Sequence, residues 1–285
     1  MKFIRRVLVT ISKVLGRRSN LDIYSKDFDS CAETYDIVET RKLLGKFTED
    51  MLKELNLKPG MYCLDLGCGT GHATEIIERF VRPDGSVVGC DVSEPMLEIA
   101  RRKLSNSAIT KFVKQDMLSF LRGQRDNSAD LITAFWAIGY TEPANVLKEI
   151  GRVLSKGGRV AIIVNTQESL SELQKIVTKI ILRNPFMLKY IPPINFPSGV
   201  KAFRKMSRKA GLKIDTLLED SCVQAFDSGA SLISWMKRGG PCAGFREALK
   251  KKYYDYVFGN IENTVNQNGG IKLTFRFIRY VGTKQ

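Results

Sequence analysis

The stretch "YCLDLGCGTGHATEII" (62–77) constrains this chain most. A short apolar run stops at Gly67, Gly69 and Gly71, and a segment with helical periodicity starts directly after them. Glycine adopts positive φ readily, so a strand can turn sharply into a helix there, and a ligand can approach the bare backbone. A strand entering a helix through such a turn is the opening of a βαβ unit in a parallel sheet. The turn is poorly matched to a phosphate. His72 stands where the dinucleotide fingerprint has glycine, and the lysine of a P-loop is missing. Asp65, just upstream, would repel a phosphate but suits a cationic ligand group.

The rest of the chain extends the same pattern. Strands are expected at 61–66, 86–91, 109–116, 129–136 and 156–165, with helices at 94–104 and 144–154 between them. Regular alternation predicts an α/β fold, a doubly wound and mostly parallel sheet covered on both faces. Asp65, Asp91 and Asp116 then fall at the carboxyl ends of adjacent strands, where open sheets of this kind bind ligands. There Asp91 can accept two ribose hydroxyls, and Asp116 can accept an adenine amino group with Met117 against the ring. Simple turn stabilisation is the alternative for each acid. The alternation pauses at 166–197 and again at 227–265, which are expected to be helical cap insertions within one domain over 21–285. A helix at 200–212, a strand at 213–226 and a terminal strand in "GGIKLTFRFIRYVG" complete the reading.

In order and spacing, "LDLGCGTG", "VVGCDVSEPMLEIARRK", "KQDM", "ADLITAFW" and "IGRVLSKGGRVAI" resemble the successive motifs of class I S-adenosylmethionine-dependent methyltransferases, over about residues 28–165. The resemblance implies a Rossmann-like seven-stranded sheet with a reversed last strand, and S-adenosyl-L-methionine as cofactor. It implies that Gly67, Cys68, Gly69 and Gly71 wrap the methionine part, with Asp65 helping to hold the turn and the ammonium end. Asp91 would take the ribose, and Val92, Met96, Asp116, Met117 and Phe135 would line the rest. Tyr35, in a "YD" pair, is similar to a tyrosine that closes over the cofactor in this family; a core tyrosine is the alternative.

Methyl transfer from a sulfonium is an in-line displacement that depends mainly on alignment and exclusion of water. A general base is needed only for a protonated acceptor. Many relatives carry histidines after the fourth strand; here Gly139 and Tyr140 stand there, and His72 is expected on the cofactor side or at the surface. No residue is therefore assigned as catalytic. A carboxylate is the simplest acceptor, with a thiolate or an activated ring carbon as alternatives. The segments "FDSGASLISWMKRGGPCAGFREAL" and "NGGIKLTFRFIRYVG" are similar to trans-aconitate and malonyl-carrier-protein carboxyl methyltransferases. That similarity implies an acceptor pocket lined by Trp235, with Arg276 or a cap arginine pairing a carboxylate. Cap core is the alternative for Trp235 and a solvated strand residue for Arg276, and Tyr140, after the fourth strand, is expected on the acceptor side. The apolar run "IVTKIILRNPFMLKYIPPINFP" suits a lipophilic acid or quinone precursor, or is simply insertion core.

The formal charge of +15 is uneven, since Lys2, Arg5, Arg6, Lys13, Arg17 and Arg18 stand without an acid in the first twenty residues. With an apolar stripe at helical spacing, residues 1–18 read as a mitochondrial presequence, a peripheral membrane contact or a docked helix. No apolar run reaches the length of about 20 residues needed for a bilayer span. No N/D-P-P-Y/F motif or RNA-binding module accompanies the charge, so the expected partner is a small molecule, not nucleic acid. An RNA methyltransferase and a non-catalytic cofactor binder are the competing classes. The six cysteines form no C-x-x-C pair and there is one histidine, so reduced structural thiols and no metal are expected, in a cytoplasmic or mitochondrial protein.

Overall fold

The computed structural model describes residues 21–36, 39–190, 194–239 and 242–285; the basic segment expected over 1–20 lies outside the described residues. After helices α1 (Leu21–Tyr35) and α2 (Glu39–Lys53), strand β1 (Tyr62–Leu66) opens an alternating series. It continues through α3 (His72–Val81), β2 (Ser86–Asp91), α4 (Glu94–Lys103) and β3 (Thr110–Lys114). Then come α5 (Met117–Arg122), β4 (Ala129–Phe135), α6 (Pro143–Val153) and β5 (Leu154–Asn165). Helices α7 (Ser171–Arg183) and α8 (Val200–Lys209) precede β6 (Leu212–Phe226). Helices α9 (Gly229–Arg238), α10 (Phe245–Ala248) and α11 (Tyr254–Gln267) lead to β7 (Ile271–Lys284).

The seven strands form one sheet in the order β3-β2-β1-β4-β5-β7-β6. Leu64 sits opposite Val88 on one side and Ile132 on the other, both in parallel ladders. β7 pairs antiparallel to β5, with Ile162 opposite Tyr280. This is the doubly wound sheet with a reversed strand that the motifs imply. β4 and β5 are nearly continuous apolar runs because both of their faces are covered. Leu66, Ile132, Ala134, Val160, Ile162 and Tyr280 are all buried, under Phe120, Leu121, Val146, Ile150 and Phe203 from the helices. The helices begin where their sequences can cap them. Ser93 Oγ accepts from Met96 N at the start of α4, the Asp116 carboxylate accepts from Leu118 N and Ser119 N at α5, and Pro143 opens α6.

The chain divides into two units. One is Glu39–Gln167, Ile194–Asp220 and Arg276–Gln285, and holds β1 to β5 with the carboxyl-terminal part of β7. The described part of the other is residues 21–36, 168–190, 221–239 and 242–275. This second unit is knit by long-range bonds among its three segments. Gly244 N donates to Asp27 at 2.6 Å, Arg246 pairs with Asp27 at 3.4 Å, and Leu170 N donates to Thr274 O at 2.7 Å. Its core includes Trp235, whose ring lies 5.2 Å from Phe226 and 6.3 Å from Phe275 between centroids.

Candidate active site

The strand order reverses direction between β1 and β4, and the crevice at such a switch is where open α/β sheets bind ligands. The glycine turn leaves β1 at this point. Gly67 N and Cys68 N both donate to Cys90 O, at 2.8 and 3.0 Å, which ties the turn to the end of β2. Gly67 has φ +67°, and a Cβ there would sit 2.4 Å from Ala137 Cβ, so only glycine lets the turn pass the segment after β4.

Two acids hold this turn from different sides. Asp65 is 2% exposed. Its carboxylate accepts from Thr74 Oγ1 of α3 at 2.6 Å and from Thr133 Oγ1 of β4 at 2.7 Å. It therefore staples the helix after the turn to the strand across the switch point. Burial raises its pKa above the usual carboxylate value, while the two hydroxyls and the charge of Arg41 pull it back. Asp91 accepts from Gly69 N and from Ser93 N, both at 2.9 Å. Burial raises its pKa too, opposed by the amides of Ser93, Gly69 and Val92.

Helix α2 belongs to the same unit and meets the start of α3 and the residue after β4. Trp136 Nε1 donates to Thr48 Oγ1 at 3.2 Å, and His72 Nε2 lies 3.5 Å from Glu49 Oε1. Trp136 itself follows β4 with φ +63°, a conformation that costs a bulky residue about 1–3 kcal/mol and concentrates at functional sites. Its amide donates to Ile163 O at 2.7 Å, which fixes that backbone. The indole stands edge-on to Phe277 with centroids 4.8 Å apart, and Phe47 of α2 meets the same Phe277 ring at 4.8 Å. Further along, Tyr140 packs against Phe196 at 5.8 Å. Asn195 N donates to Gly139 O at 2.9 Å, and a Cβ at Gly139 would lie 2.2 Å from the Phe196 ring.

The residues singled out from sequence are distributed unevenly. Asp65, Gly67, Cys68, Gly69, Gly71, Asp91, Val92, Met96, Asp116, Met117, Phe135 and Tyr140 all lie in the sheet unit. Most of them sit in the turn, at strand ends or in the first turn of a helix. Asp116 spends one oxygen capping α5, the helix-capping role that competes with adenine recognition. Tyr35 and Trp235 belong to the other unit, where Tyr35 meets Phe28 at 6.3 Å and Trp235, 3% exposed, is core. Arg276 is exposed on β7. Its neighbour Phe277 faces Trp136, and successive strand residues point to opposite faces, so Arg276 is directed away from that cluster. Trp136, Phe47, Thr48, Phe277 and Phe196 were not legible as site residues, because four of the five come from outside the alternating motifs.

The site fits an adenosyl sulfonium. A Cβ added at Gly69 meets no atom within 4 Å, so the turn leaves room beside its backbone. A carboxylate offers about four acceptor sites, and after its amide bonds Asp91 still has capacity for a hydroxyl. Comparison with known proteins agrees. Residues 64–162 match a family model described as a methyltransferase domain. A demethylmenaquinone methyltransferase of Lactococcus lactis subsp. lactis is 33% identical over 211 residues, covering 70% of this chain and 78% of that protein. The chain belongs to the class I S-adenosylmethionine-dependent methyltransferases. The demethylmenaquinone methyltransferase of Symbiobacterium thermophilum is 34% identical over 142 residues, 46% of this chain. That match spans only 55% of the relative's length, little more than half. In fold, the YcgJ protein from Bacillus subtilis aligns with a TM-score of 0.59 at 19% identity, over 84% of this chain and 97% of its own.

Proposed function

We propose that this methyltransferase alkylates a lipophilic hydroxyaromatic acceptor of the reduced-quinone class, at a ring carbon or ring oxygen. The observation that carries the reading is Trp136. A bulky aromatic is held in the left-handed region at the carboxyl end of β4, its nitrogen anchored on Thr48 and its ring braced by Phe277 and Phe47. Aromatic surfaces of this kind bind a flat ring by offset stacking or edge contact. The names of the relatives, which are demethylmenaquinone methyltransferases, favour the same acceptor class.

When bound, S-adenosylmethionine supplies an electrophilic methyl group on sulfur. Asp91 would hold the ribose end, and the Gly67–Gly71 turn would give backbone access to the methionine end. Asp65 keeps that turn in register with β4, so cofactor and acceptor walls are set by one staple. The Trp136 cluster orients the acceptor plane and excludes water, which is where most of the acceleration of such a displacement arises. A phenolate-type ring carbon is nucleophilic without a protein base. With the cofactor bound, the ring carbon would gain the methyl as the methyl–sulfur bond breaks, its electron pair staying on the sulfur, and the ring proton would leave to solvent. The carboxylate acceptor expected from the sequence rested on the missing base, with Trp235 and with Arg276 or a cap arginine to bind it. Trp235 is core of the other unit, and Arg276 is directed away from the Trp136 cluster.

The test is transfer of labelled methyl to a panel containing a dithionite-reduced naphthoquinone with an apolar side chain and several organic acids. The expected product carries base-stable label on the ring acceptor. Trp136→Ala is expected to raise the acceptor KM about tenfold, in line with a lost aromatic contact of about 1 kcal/mol plus buried area, while leaving cofactor affinity within about twofold. Base-labile label on an acid would replace this reading with the carboxylate one.

A further inference from the structure

Phe186 is the most exposed large apolar side chain among the described residues, at 69%, and Leu182 one turn earlier is 42% exposed. Both lie at the end of α7 and in the three-residue 3-10 helix that follows, Pro185–Met187. Isolated apolar exposure is ordinary. This instance is different because the turn that displays the ring is rigidly built.

Asn184 Oδ1 accepts from Phe186 N at 3.2 Å, and Met187 N donates to Asn184 O at 3.2 Å. Lys189 N donates to Ala248 O at 2.7 Å, and Lys250 N donates to Met187 O at 2.9 Å, with Leu188 bridged to Leu249. Met187 and Leu188, on either side of that bonding, are buried at 3% and 5%. The backbone thus turns its two neighbours inward and holds Phe186 out.

The surroundings are basic. Lys175, Lys179 and Arg183 are exposed at helical spacing along α7 on the face that carries Leu182, and Lys189 is exposed beyond the turn. The helix has one acid, Glu172 in its first turn, and that carboxylate accepts from Thr274 Oγ1 at 2.8 Å and Thr274 N at 3.2 Å. An aromatic and a leucine protruding among four cations match the interface of an anionic bilayer, where apolar tips enter the acyl boundary and lysine and arginine meet the phosphates. No helix among the described residues is long and apolar enough to cross a membrane, so the contact is a surface one.

We propose that the end of α7 and the Pro185–Met187 turn form a docking surface for an anionic lipid bilayer, with Phe186 and Leu182 inserted and Lys175, Lys179, Arg183 and Lys189 on the headgroups. The test uses the full chain with vesicles of phosphatidylcholine alone or mixed with phosphatidylglycerol. F186W is expected to show blue-shifted emission and quenching by brominated acyl chains with the mixed vesicles only. L182S combined with F186S is expected to weaken sedimentation with those vesicles about tenfold or more, with circular dichroism unchanged. K179E is expected to cost about fivefold or more and to flatten the salt dependence. The proposal fails if wild type does not bind the mixed vesicles. It also fails if F186W emission is unmoved while the protein binds, which would place the contact elsewhere, including residues 1–18. A change of oligomeric state in L182S/F186S without loss of vesicle binding would make this face a protein interface and overturn it as well.

Discussion

Asp91 combines two demands that conflict at low pH. Its oxygens must stay ionised to accept from Gly69 N and Ser93 N and still receive a hydroxyl, yet burial favours the protonated form and lifts its pKa above the ordinary 3.8. Protonation turns one acceptor into a donor. Cofactor affinity is therefore expected to fall as pH drops through that raised pKa, at higher pH than a solvated aspartate would allow, and to be flat above it. Titration calorimetry from neutral to mildly acidic buffer measures this. Asp91→Asn places an N–H against backbone donors and removes the charge, and should weaken cofactor binding by roughly a hundredfold, given about 1.5–3 kcal/mol per hydrogen bond to a charged group. An affinity independent of pH, or an unaffected Asn variant, would remove Asp91 from the ribose role. Trp136 is the complementary case. Its chemistry is written in the sequence directly after a predicted strand, but its left-handed backbone is not, because residue type alone argues against φ +63°. Only the tertiary bonds to Ile163 and Thr48 show that the indole is positioned.

At the scale of elements, β1, α3 and β4 meet through a single buried carboxylate. The alternating strands were legible because parallel strands covered on both faces are apolar runs, and glycines mark the turn that ends β1. What the sequence could not show is that Thr74 and Thr133, 9 and 68 residues from Asp65 respectively, converge on it. That convergence depends on the sheet order and on register, with Asp65 opposite Thr133. Thr74→Val removes one of the two hydroxyls and leaves a buried acceptor short of a partner, at a cost of about 1–3 kcal/mol. The sign of its pH dependence follows from Asp65. An acid whose folded pKa is raised destabilises the fold progressively as pH climbs from the unfolded 3.8 through the folded value. Losing the Thr74 hydroxyl raises the folded value further, so the variant's deficit in Tm should be smallest at the acid end and grow to a plateau above Asp65's folded pKa. Thermal melts of both proteins across pH measure it, and a deficit that shrinks with rising pH would contradict the staple.

For the whole molecule, the second unit is the part least visible in the sequence. Residues 21–36, 168–190 and 221–275 are far apart along the chain, and nothing in their periodicity says that Asp27 will accept from Gly244 or that Leu188 will bridge Leu249. Apolar insertions can be recognised as such, but which of them share a core is decided by long-range contacts that no local pattern encodes. The cysteines sample both units and so report on the integrity of each. Burial pushes the thiols of Cys31 to about 11 and of Cys63 and Cys242 to about 12, and raises those of Cys68 and Cys90 as well. The nucleophile in thiol exchange is the thiolate, so these five should be inert in the folded protein at mildly alkaline pH. Cys222 and Cys242 are half-buried and the other four buried, and its raised pKa keeps Cys242 in the thiol form. Ellman's reagent is then expected to show at most one fast thiol, Cys222, and all six only after denaturation. Cys222→Ser should abolish the fast phase. Two or more fast thiols in the native protein would mean that one unit opens on the timescale of the reaction, and labelling followed by peptide mapping would identify it: Cys63, Cys68 and Cys90 for the sheet unit, Cys31 and Cys242 for the other.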